Sequence, residues 1–295
     1  MLLCVLVSDP LVHPSRTQRI PASIHYGQRE MTDIRTDSES QPGQSWLRRV
    51  FIAIGGVLIL LTGATIMLLV SLLTLFQTRR FCCEVIAAAM GRAALKISRV
   101  KLVVHGSPPA EARQWIYISN HTSTLDMFAV IALSLPRTRY FLSGFLRKIL
   151  PLGLVGYLIR VFWTAPYSFP EKRRAIFQHA DSVLRATGDS VYLTPEGSRI
   201  LTGEIAHFNR GAFHLATSLQ ADIVPMYVQT THPKDSGMEL VSEPGVVHLH
   251  FLPVISTAGW QTEDIDANRD AVHQLYQKYH SVYVEPGGDV LKVTE

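Results

Sequence analysis

The chain has 295 residues, of which 47% are hydrophobic, and it carries a formal net charge of +4. This length predicts one or two domains, and the hydrophobic content is high for a wholly soluble protein. The basic residues lack the aromatic spacing of a base-stacking platform, so the charge indicates an anionic lipid surface and excludes a nucleic-acid partner.

The first 45 residues contain scattered Pro, Ser, Thr, Gln and charged residues without a helical or strand period. Such a segment cannot bury enough apolar surface to offset the entropy of ordering it. The sequence therefore predicts a disordered tail over residues 1–45.

An apolar segment without any charge follows from Val50 to Phe76. As a helix it would be roughly 40 Å long, more than the about 30 Å of a bilayer's hydrocarbon core. The sequence thus predicts a membrane anchor. Two arrangements are open: the segment spans the bilayer, or it bends near Gly55, Gly56 or Gly63 and keeps both ends on one face.

Basic residues flank this segment on both sides. Arg48 and Arg49 precede it, and Arg79, Arg80, Arg92, Lys96, Arg99 and Lys101 follow it. The tendency of positive charge to stay on the cytoplasmic side predicts that the following domain lies on the cytoplasmic face of the membrane.

From residue 100 onward, short apolar runs alternate with segments of helical period. This pattern predicts an α/β fold, a central mixed sheet flanked by helices, in one domain over residues 100–295. The predicted strands are Lys101 to His105, Trp115 to Ile118, Thr138 to Leu142, Ser190 to Leu193, Asp222 to Val228 and Val246 to Phe251. The predicted helices are Asp126 to Leu135, Pro170 to Thr187 and Ala267 to Val282.

A histidine and an aspartate stand five positions apart in the connection after the second predicted strand. If the Asp126 carboxylate holds one ring nitrogen of His121, the tautomer is fixed and the other nitrogen is free to accept a proton. The alternative is that Asp126 only complements the N-terminus of the next helix.

The segment Phe141 to Phe162 is apolar, but Arg147, Lys148 and three glycines interrupt it. The sequence therefore predicts no spanning helix here. Either a basic apolar surface lies in the headgroup region, or two buried helices extend their basic ends to solvent.

A short polar block, Pro195 to Arg199, follows the predicted strand Ser190 to Leu193. Gly197 allows the backbone to approach a ligand, and the planar fork of Arg199 suits phosphate oxygens. The alternative is that Glu196 and Arg199 pair with each other at a turn. Arg210 would extend the same anion-binding surface.

Three segments in this order resemble the signature blocks of the glycerolipid acyltransferases, the family of the 1-acyl-glycerol-3-phosphate acyltransferases. Asn120 to Asp126 resembles the first block, Leu193 to Arg199 resembles the Pro-Glu-Gly-Thr/Ser-Arg block, and Ile223 to Val228 resembles the late apolar-proline block. Phe208 to Ala216 is similar to the stretch that follows the glutamate block. The resemblance covers roughly residues 100–255.

The resemblance implies an O-acyltransferase that moves an acyl chain from a thioester of coenzyme A or of acyl carrier protein to a lysolipid hydroxyl. The most direct acceptor is 1-acyl-glycerol-3-phosphate, which gives phosphatidic acid. His121 would be the general base and Asp126 would orient it. The implied substrate-binding residues are Glu196, Gly197, Ser198, Arg199 and Arg210. Because a thioester is already activated, the reaction needs neither a protein nucleophile nor a metal or other cofactor.

The resemblance also implies an N-terminal anchor of two helices, over residues 46–99, with Phe81 to Leu95 as the second helix. Cys82 and Cys83 would then pack against lipid. The sequence departs from the family in the second block, Arg160 to Pro166, which has no arginine at the matching place.

Several alternatives remain open, and they concern first the acceptor and then the class of the protein. Arg160 or the Lys172 to Arg174 cluster compensates for the missing arginine, or the acceptor is another lysolipid such as an ornithine lipid. From different classes, the chain is a membrane-anchored hydrolase that uses the same pair on water, or a catalytically idle lipid-binding scaffold.

Overall fold

A computed structural model describes residues 42–200, 204–230 and 245–283. The predicted disordered tail lies outside these residues up to position 41. Among the described residues, the first helix begins at Pro42, inside the segment predicted to be disordered.

The described residues form a seven-stranded sheet flanked by helices. The strands are β1 Val100–His105, β2 Ile116–Ser119, β3 Thr138–Ser143, β4 Phe162–Thr164, β5 Ser190–Leu193, β6 Ile223–Thr230 and β7 Gly245–Phe251. The helices are α1 Pro42–Leu73, α2 over residues 79–97, α3 Leu125–Ala132, α4 Leu150–Leu158, α5 Pro170–Thr187, α6 Gly211–Leu219 and α7 Ile265–Tyr283. Helix α2 consists of a turn Arg79–Phe81, a π-helical stretch Cys82–Ala87 and an α-helix Ala88–Ile97.

The strand order is β1-β7-β6-β2-β5-β3-β4. Strands β6 and β7 are antiparallel, and the other neighbouring pairs are parallel. The predicted α/β fold with a mixed central sheet is confirmed. Strand β2 is central and all four of its residues are buried.

The two faces of the sheet carry separate apolar clusters because successive strand residues point to opposite sides. On β2, Tyr117 packs in the cluster that includes residues of α1, α2 and α3. Ile116 and Ile118 pack in the opposite cluster with residues of α5, α6 and α7. The hydroxyl of Tyr276 in α7 donates to the carbonyl of Ile118 at 2.9 Å and so fastens α7 to the central strand.

The six predicted strands coincide with observed strands to within two residues, and the helix Pro170–Thr187 is observed as predicted. Strand β4 and helices α4 and α6 were missed. Strand β4 has only three residues, too few for a period. The glycines of α4 were interpreted as helix breakers, but a Cβ at Gly156 would overlap the Trp163 ring, so this glycine allows α4 to pack on β4.

Helix α1 lies antiparallel to α2 along most of the length of α2. Gly63 of α1 faces Met90 so closely that a Cβ would overlap the thioether, and the Ser71 hydroxyl lies 3.7 Å from the Cys82 sulfur. Cys82 and Cys83 are buried inside the protein, which corrects the prediction that they face lipid. The thiol of Cys83 donates to the Thr138 carbonyl at 3.6 Å, so α2 contacts the sheet there.

A buried ion cluster fixes α2 to the sheet. The Asp189 carboxylate accepts from Arg79 Nη2 at 2.8 Å and from Arg139 Nε at 2.9 Å, and all three side chains are at most one-tenth exposed. Burial lowers the pKa of Arg79, and Asp189 opposes that effect. Removal of one partner of such a group leaves a buried charge without compensation, at a cost of about 3–5 kcal/mol.

Within the described residues, one helical stretch, Trp46–Leu73, is long and apolar enough to cross a membrane by length and composition. Its outer face leaves large apolar side chains exposed, among them Phe51, Ile54, Leu58 and Leu69. In α4, Leu150 and Tyr157 are also exposed.

Candidate active site

The candidate site lies where β2 and β5 end. These strands are parallel, so the segments that follow them emerge at the same edge of the sheet. His121 follows β2, and Glu196 follows β5. Asn120, at the end of β2, binds β6. Its side-chain amide donates to the Val228 carbonyl at 2.8 Å and accepts from the Val228 N–H at 2.7 Å.

The Asp126 carboxylate organises the loop before α3. It is completely buried. Oδ2 accepts from the backbone N–H groups of Thr122 and Ser123, each at 2.8 Å, and Oδ1 accepts from the Ser123 hydroxyl at 3.1 Å. These donors hold the carboxylate in one orientation. The alternative, in which Asp126 only complements a helix N-terminus, is incomplete because the same oxygen also faces His121.

His121 Nδ1 lies 3.1 Å from Asp126 Oδ2. A carboxylate oxygen accepts, so Nδ1 carries the proton and Nε2 is left as the basic nitrogen. The His121 side chain is 23% exposed, whereas that of Asp126 is inaccessible. A ligand can therefore reach the imidazole but not the carboxylate, which is the arrangement expected of an oriented base.

Glu196 stabilises the loop that carries the histidine. Its Oε2 accepts from the backbone N–H of His121 at 2.6 Å, and its Oε1 accepts from the backbone N–H of Ala206 at 3.1 Å. Burial raises the pKa of Glu196 to about 8, against the opposing effect of the two backbone N–H groups. The carboxyl group faces protein backbone, and its predicted contact with substrate stays a prediction.

The turn of residues 194–197 requires a glycine. Gly197 has a left-handed φ of 71°, and a Cβ there would overlap the Tyr167 hydroxyl. That hydroxyl donates to the Glu196 carbonyl at 3.0 Å, while the Asn209 amide donates to the same carbonyl at 3.0 Å and to the Pro195 carbonyl at 2.8 Å. Neither Tyr167 nor Asn209 was predicted as a site residue, because no local sequence pattern relates them to this turn.

Arg199 reaches back to the first block. Its Nη1 donates to the Thr124 hydroxyl at 2.7 Å, and the backbone N–H of Ile200 donates to the His121 carbonyl at 2.9 Å. The guanidinium is half-buried. The structure thus joins the two blocks into one site, with Ser198 exposed beside Gly197.

Arg210 is directed elsewhere. Its guanidinium forms a two-pronged ion pair with Asp266 at the start of α7, with Nε 2.6 Å from Oδ1. The contacts of Arg210 therefore join α6 and α7 and do not include the turn of residues 194–197. Its predicted role in anion binding stays a prediction.

A different arginine lies beside the turn. Arg173 of α5 donates through Nη1 to the Ala165 carbonyl at 3.0 Å and stacks on the Tyr167 ring, with Cζ 4.3 Å from its centroid. Because the Tyr167 hydroxyl binds Glu196, Arg173 is one side chain away from the site. Arg160 lies at the C-terminal end of α4 and is exposed.

Comparison with known proteins shows which families this chain resembles. Residues 101–229 match the family model described as Acyltransferase. The 1-acyl-sn-glycerol-3-phosphate acyltransferase alpha of Mus musculus is 28% identical over 197 residues, which are 64% of this chain and 66% of that protein. Residues 101–229 are therefore similar to the acyltransferase family.

Other relatives are similarly distant. The beta enzyme of Homo sapiens is 30% identical over 166 residues, 56% of this chain and 59% of that protein. The chain therefore spans 66% of the length of the first of these relatives and 59% of the second. The crystal structure of the 1-acyl-sn-glycerophosphate acyltransferase PlsC from Thermotoga maritima has the same fold, with a TM-score of 0.68 at 19% identity over 81% of this chain and 95% of that one.

Proposed function

We propose that this protein transfers an acyl chain from an acyl thioester to the hydroxyl of a lysolipid, with 1-acyl-glycerol-3-phosphate as the acceptor and phosphatidic acid as the product. The relatives described above are named 1-acyl-sn-glycerol-3-phosphate acyltransferases, after this reaction. The observation that carries the proposal is the contact between accessible His121 and buried Asp126 at the end of the central strand. Coenzyme A or acyl carrier protein would hold the donor acyl group.

In the proposed reaction, His121 Nε2 takes the proton from the acceptor hydroxyl as its oxygen attacks the thioester carbonyl. The tetrahedral intermediate then collapses, the carbon–sulfur bond breaks, and the imidazolium returns the proton to the leaving thiolate. Asp126 stabilises the imidazolium between these steps. Such a base contributes about 10² to 10⁴ in rate.

Direct transfer is supported over a covalent enzyme intermediate by the environment of Ser123. Its hydroxyl donates to Asp126 Oδ1 and accepts from the Leu125 N–H at 2.9 Å. The side chain is buried, and its proton points at Asp126 rather than at His121. Ser123 therefore serves the loop and is not placed for attack on a thioester.

We propose that Arg199 and Arg173 bind the phosphate of the acceptor. Arg199 stands beside the first block through Thr124, and Arg173 lies against Tyr167 on the other side of the turn. Arg173 donates to the carbonyl of Ala165, in the block that has no arginine at the matching place, so α5 offers a guanidinium there. If neither arginine binds phosphate, the acceptor is another lysolipid, such as an ornithine lipid.

We also propose that the protein is bound to the membrane on its cytoplasmic side. The outer face of α1 exposes a row of apolar side chains, and Leu150 of α4 is 81% exposed near Arg147 and Lys148. Apolar groups beside basic ones favour the boundary between acyl chains and anionic headgroups.

The packing of α1 favours insertion into one leaflet over a full span. Gly63 and Ser71 of α1 contact α2, and Arg79 in α2 is bound to Asp189 of the sheet domain. A spanning α1 would draw α2 and its charged residues into the hydrocarbon. A helix that lies at the interface leaves this packing intact.

The test is to incubate the purified protein with a labelled acyl thioester of coenzyme A or of acyl carrier protein, with and without lysolipid. We expect labelled phosphatidic acid only when lysophosphatidic acid is present. Release of free fatty acid without an acceptor would identify a hydrolase. Product formed only with lyso-ornithine lipid would show that this lipid, and not lysophosphatidic acid, is the acceptor. Lipid binding without turnover would identify a scaffold.

A further inference from the structure

Three histidines that are far apart in the sequence meet on one face of the sheet. His105 ends β1, in register with His250 of β7, and His248 is two residues before His250 on the same strand. Residues in register and residues two apart share a face, so all three imidazoles point to the same side. Because His105 and His248 are separated by 143 positions, the sequence offered no metal-ligand spacing, and none was predicted.

The ring nitrogens are close enough to share one ion. His105 Nε2 lies 2.9 Å from His248 Nδ1, the rings of His105 and His250 have centroids 4.2 Å apart, and one nitrogen of each histidine lies within 4.8 Å of the other two. In a tetrahedral zinc site with Zn–N of about 2.0–2.1 Å, the nitrogens are roughly 3.3 Å apart. The three rings are stacked, with interplanar angles of 7°, 19° and 23°, so binding would require the side chains to rotate until one nitrogen of each ring faces a shared ion.

We propose that His105, His248 and His250 form a zinc site that fastens β1 to β7. Imidazole is a preferred ligand of Zn²⁺, and neutral imidazoles are the form that binds. His250 is buried while His105 and His248 are half-exposed, so three ligands come from one side and a fourth position is open to solvent. A water molecule or a small anion would complete the coordination.

This zinc site is separate from the candidate active site. Strand β6 lies between β7 and β2, the strand that precedes His121. His250 is in register with Tyr227, which packs in the cluster on the α7 side, whereas α3 contributes Ala129 to the opposite cluster. The proposal therefore stands independently of the proposed acyl transfer.

The expected consequence is mechanical. Strand β1 is at the edge of the sheet, pairs with β7, and follows directly after α2, the helix that packs against α1. An ion bound by ligands from both strands would hold this edge strand, and with it the apolar helix pair, to the rest of the sheet. Ions that bind only the folded state raise its stability by mass action.

The experiment uses the full chain in detergent, without a polyhistidine tag, after removal of metals by a chelator. Zinc binding and the thermal unfolding midpoint are measured for the wild type, for the double variant His105→Ala/His248→Ala and for His179→Ala. His179 is exposed on α5 and controls for adventitious binding by surface histidines. Cobalt(II) replaces zinc in a parallel absorption measurement.

We expect the wild type and His179→Ala to bind one zinc ion per chain and to melt at a higher temperature with zinc. The cobalt form should give the intense visible bands of a tetrahedral site. The double variant should bind more than about a hundred-fold more weakly, because even outer partners of metal ligands change affinity about 10- to 100-fold. If the double variant fails to fold, the single variant His105→Gln is measured in its place. It should also lose the visible cobalt bands.

Equal zinc affinity in the wild type and the folded variant would overturn the proposal, as would an octahedral cobalt spectrum in the wild type. In that case the cluster is a hydrogen-bonded stack of imidazoles.

Discussion

The carboxyl group of Glu196 accepts a hydrogen bond of 2.6 Å from the backbone N–H of His121. This contact joins the end of β5 to the loop after β2 across 75 positions of sequence. Asp126 holds the imidazole of the same histidine at 3.1 Å. One carboxyl group thus fixes the main chain of His121 and another fixes its ring, and the two positions are expected to respond differently to substitution.

The first prediction concerns the base. His121→Ala should lower acyl transfer by about 10² to 10⁴, because the acceptor hydroxyl loses its proton acceptor. Asp126→Asn should keep the fold, because an amide oxygen still accepts from Thr122 and Ser123, but it should slow turnover by removing the charge that stabilises the imidazolium. Initial rates and thermal melts measure both effects. Near-normal turnover of His121→Ala, with His179→Ala as the control, would refute the mechanism.

The second prediction concerns pH. The pKa of Glu196 rises from 4.5 to about 8 on folding because the carboxyl group is buried. The folded state therefore retains a proton that the unfolded state releases, and stability falls as pH rises from about 5 through 8, by at most about 1.4 kcal/mol per pH unit. Glu196→Gln cannot titrate, so the difference between the unfolding free energies of wild type and variant should show this slope and flatten above pH 8. A pH-independent difference would contradict the buried neutral carboxyl.

The third prediction concerns the turn at Gly197. Gly197→Ala should destabilise the protein by more than the about 1–2 kcal/mol of a left-handed backbone, since the new methyl group also meets the Tyr167 hydroxyl. Gly259→Ala is the matched control, because Gly259 has a φ of 81° and open space around its Cα. Denaturant unfolding should rank Gly197→Ala as the more harmful change, and Tyr167→Phe should partly rescue it. Equal costs at the two glycines would exclude the clash.

The fourth prediction concerns the acceptor phosphate. Arg199→Ala and Arg173→Ala should each weaken the use of lysophosphatidic acid roughly ten- to more than a hundred-fold, the value of one charge-assisted contact of about 1.5–3 kcal/mol. A phosphate-free lysolipid should be affected much less. Arg174→Ala is the control, because Arg174 is an exposed neighbour that pairs with Glu171 on the surface of α5. If the preference for lysophosphatidic acid survives in both variants, these arginines do not bind the phosphate.

The fifth prediction concerns the membrane. Leu58→Glu on the exposed face of α1 should reduce binding to anionic lipid vesicles, since a charge there cannot enter the acyl-chain region. Val282→Glu in α7 is the control, because Val282 is 55% exposed, close to the 57% of Leu58. Vesicle flotation measures the bound fraction. Equal flotation of both variants and the wild type would exclude α1 as the attachment surface.

Much of this protein follows from local sequence. The apolar run Ser190–Leu193 predicted a strand, and the apolar face and terminal residues of Pro170–Thr187 predicted a helix, because side-chain period and terminal residues are local properties. His121 and Asp126 were expected to meet because five positions of one loop separate them. Three short blocks predicted a resemblance to the glycerolipid acyltransferases, and residues 101–229 match the family model described as Acyltransferase.

Other features depended on tertiary structure. Glu196 was expected to face substrate, yet its oxygens accept from the backbone of His121 and Ala206, a pairing that no spacing reveals. Tyr167, Asn209 and Arg173 reach the turn at Gly197 from separate elements.

The histidine cluster illustrates the same limit. The sequence determines which residues carry imidazoles and which strands they occupy, since both are encoded locally. Only the order of strands in the sheet decides that β1 pairs with β7, and thus that His105 lies against His248 and His250. The physical reason is that strand pairing depends on the burial of both faces of the whole sheet, which no single segment contains.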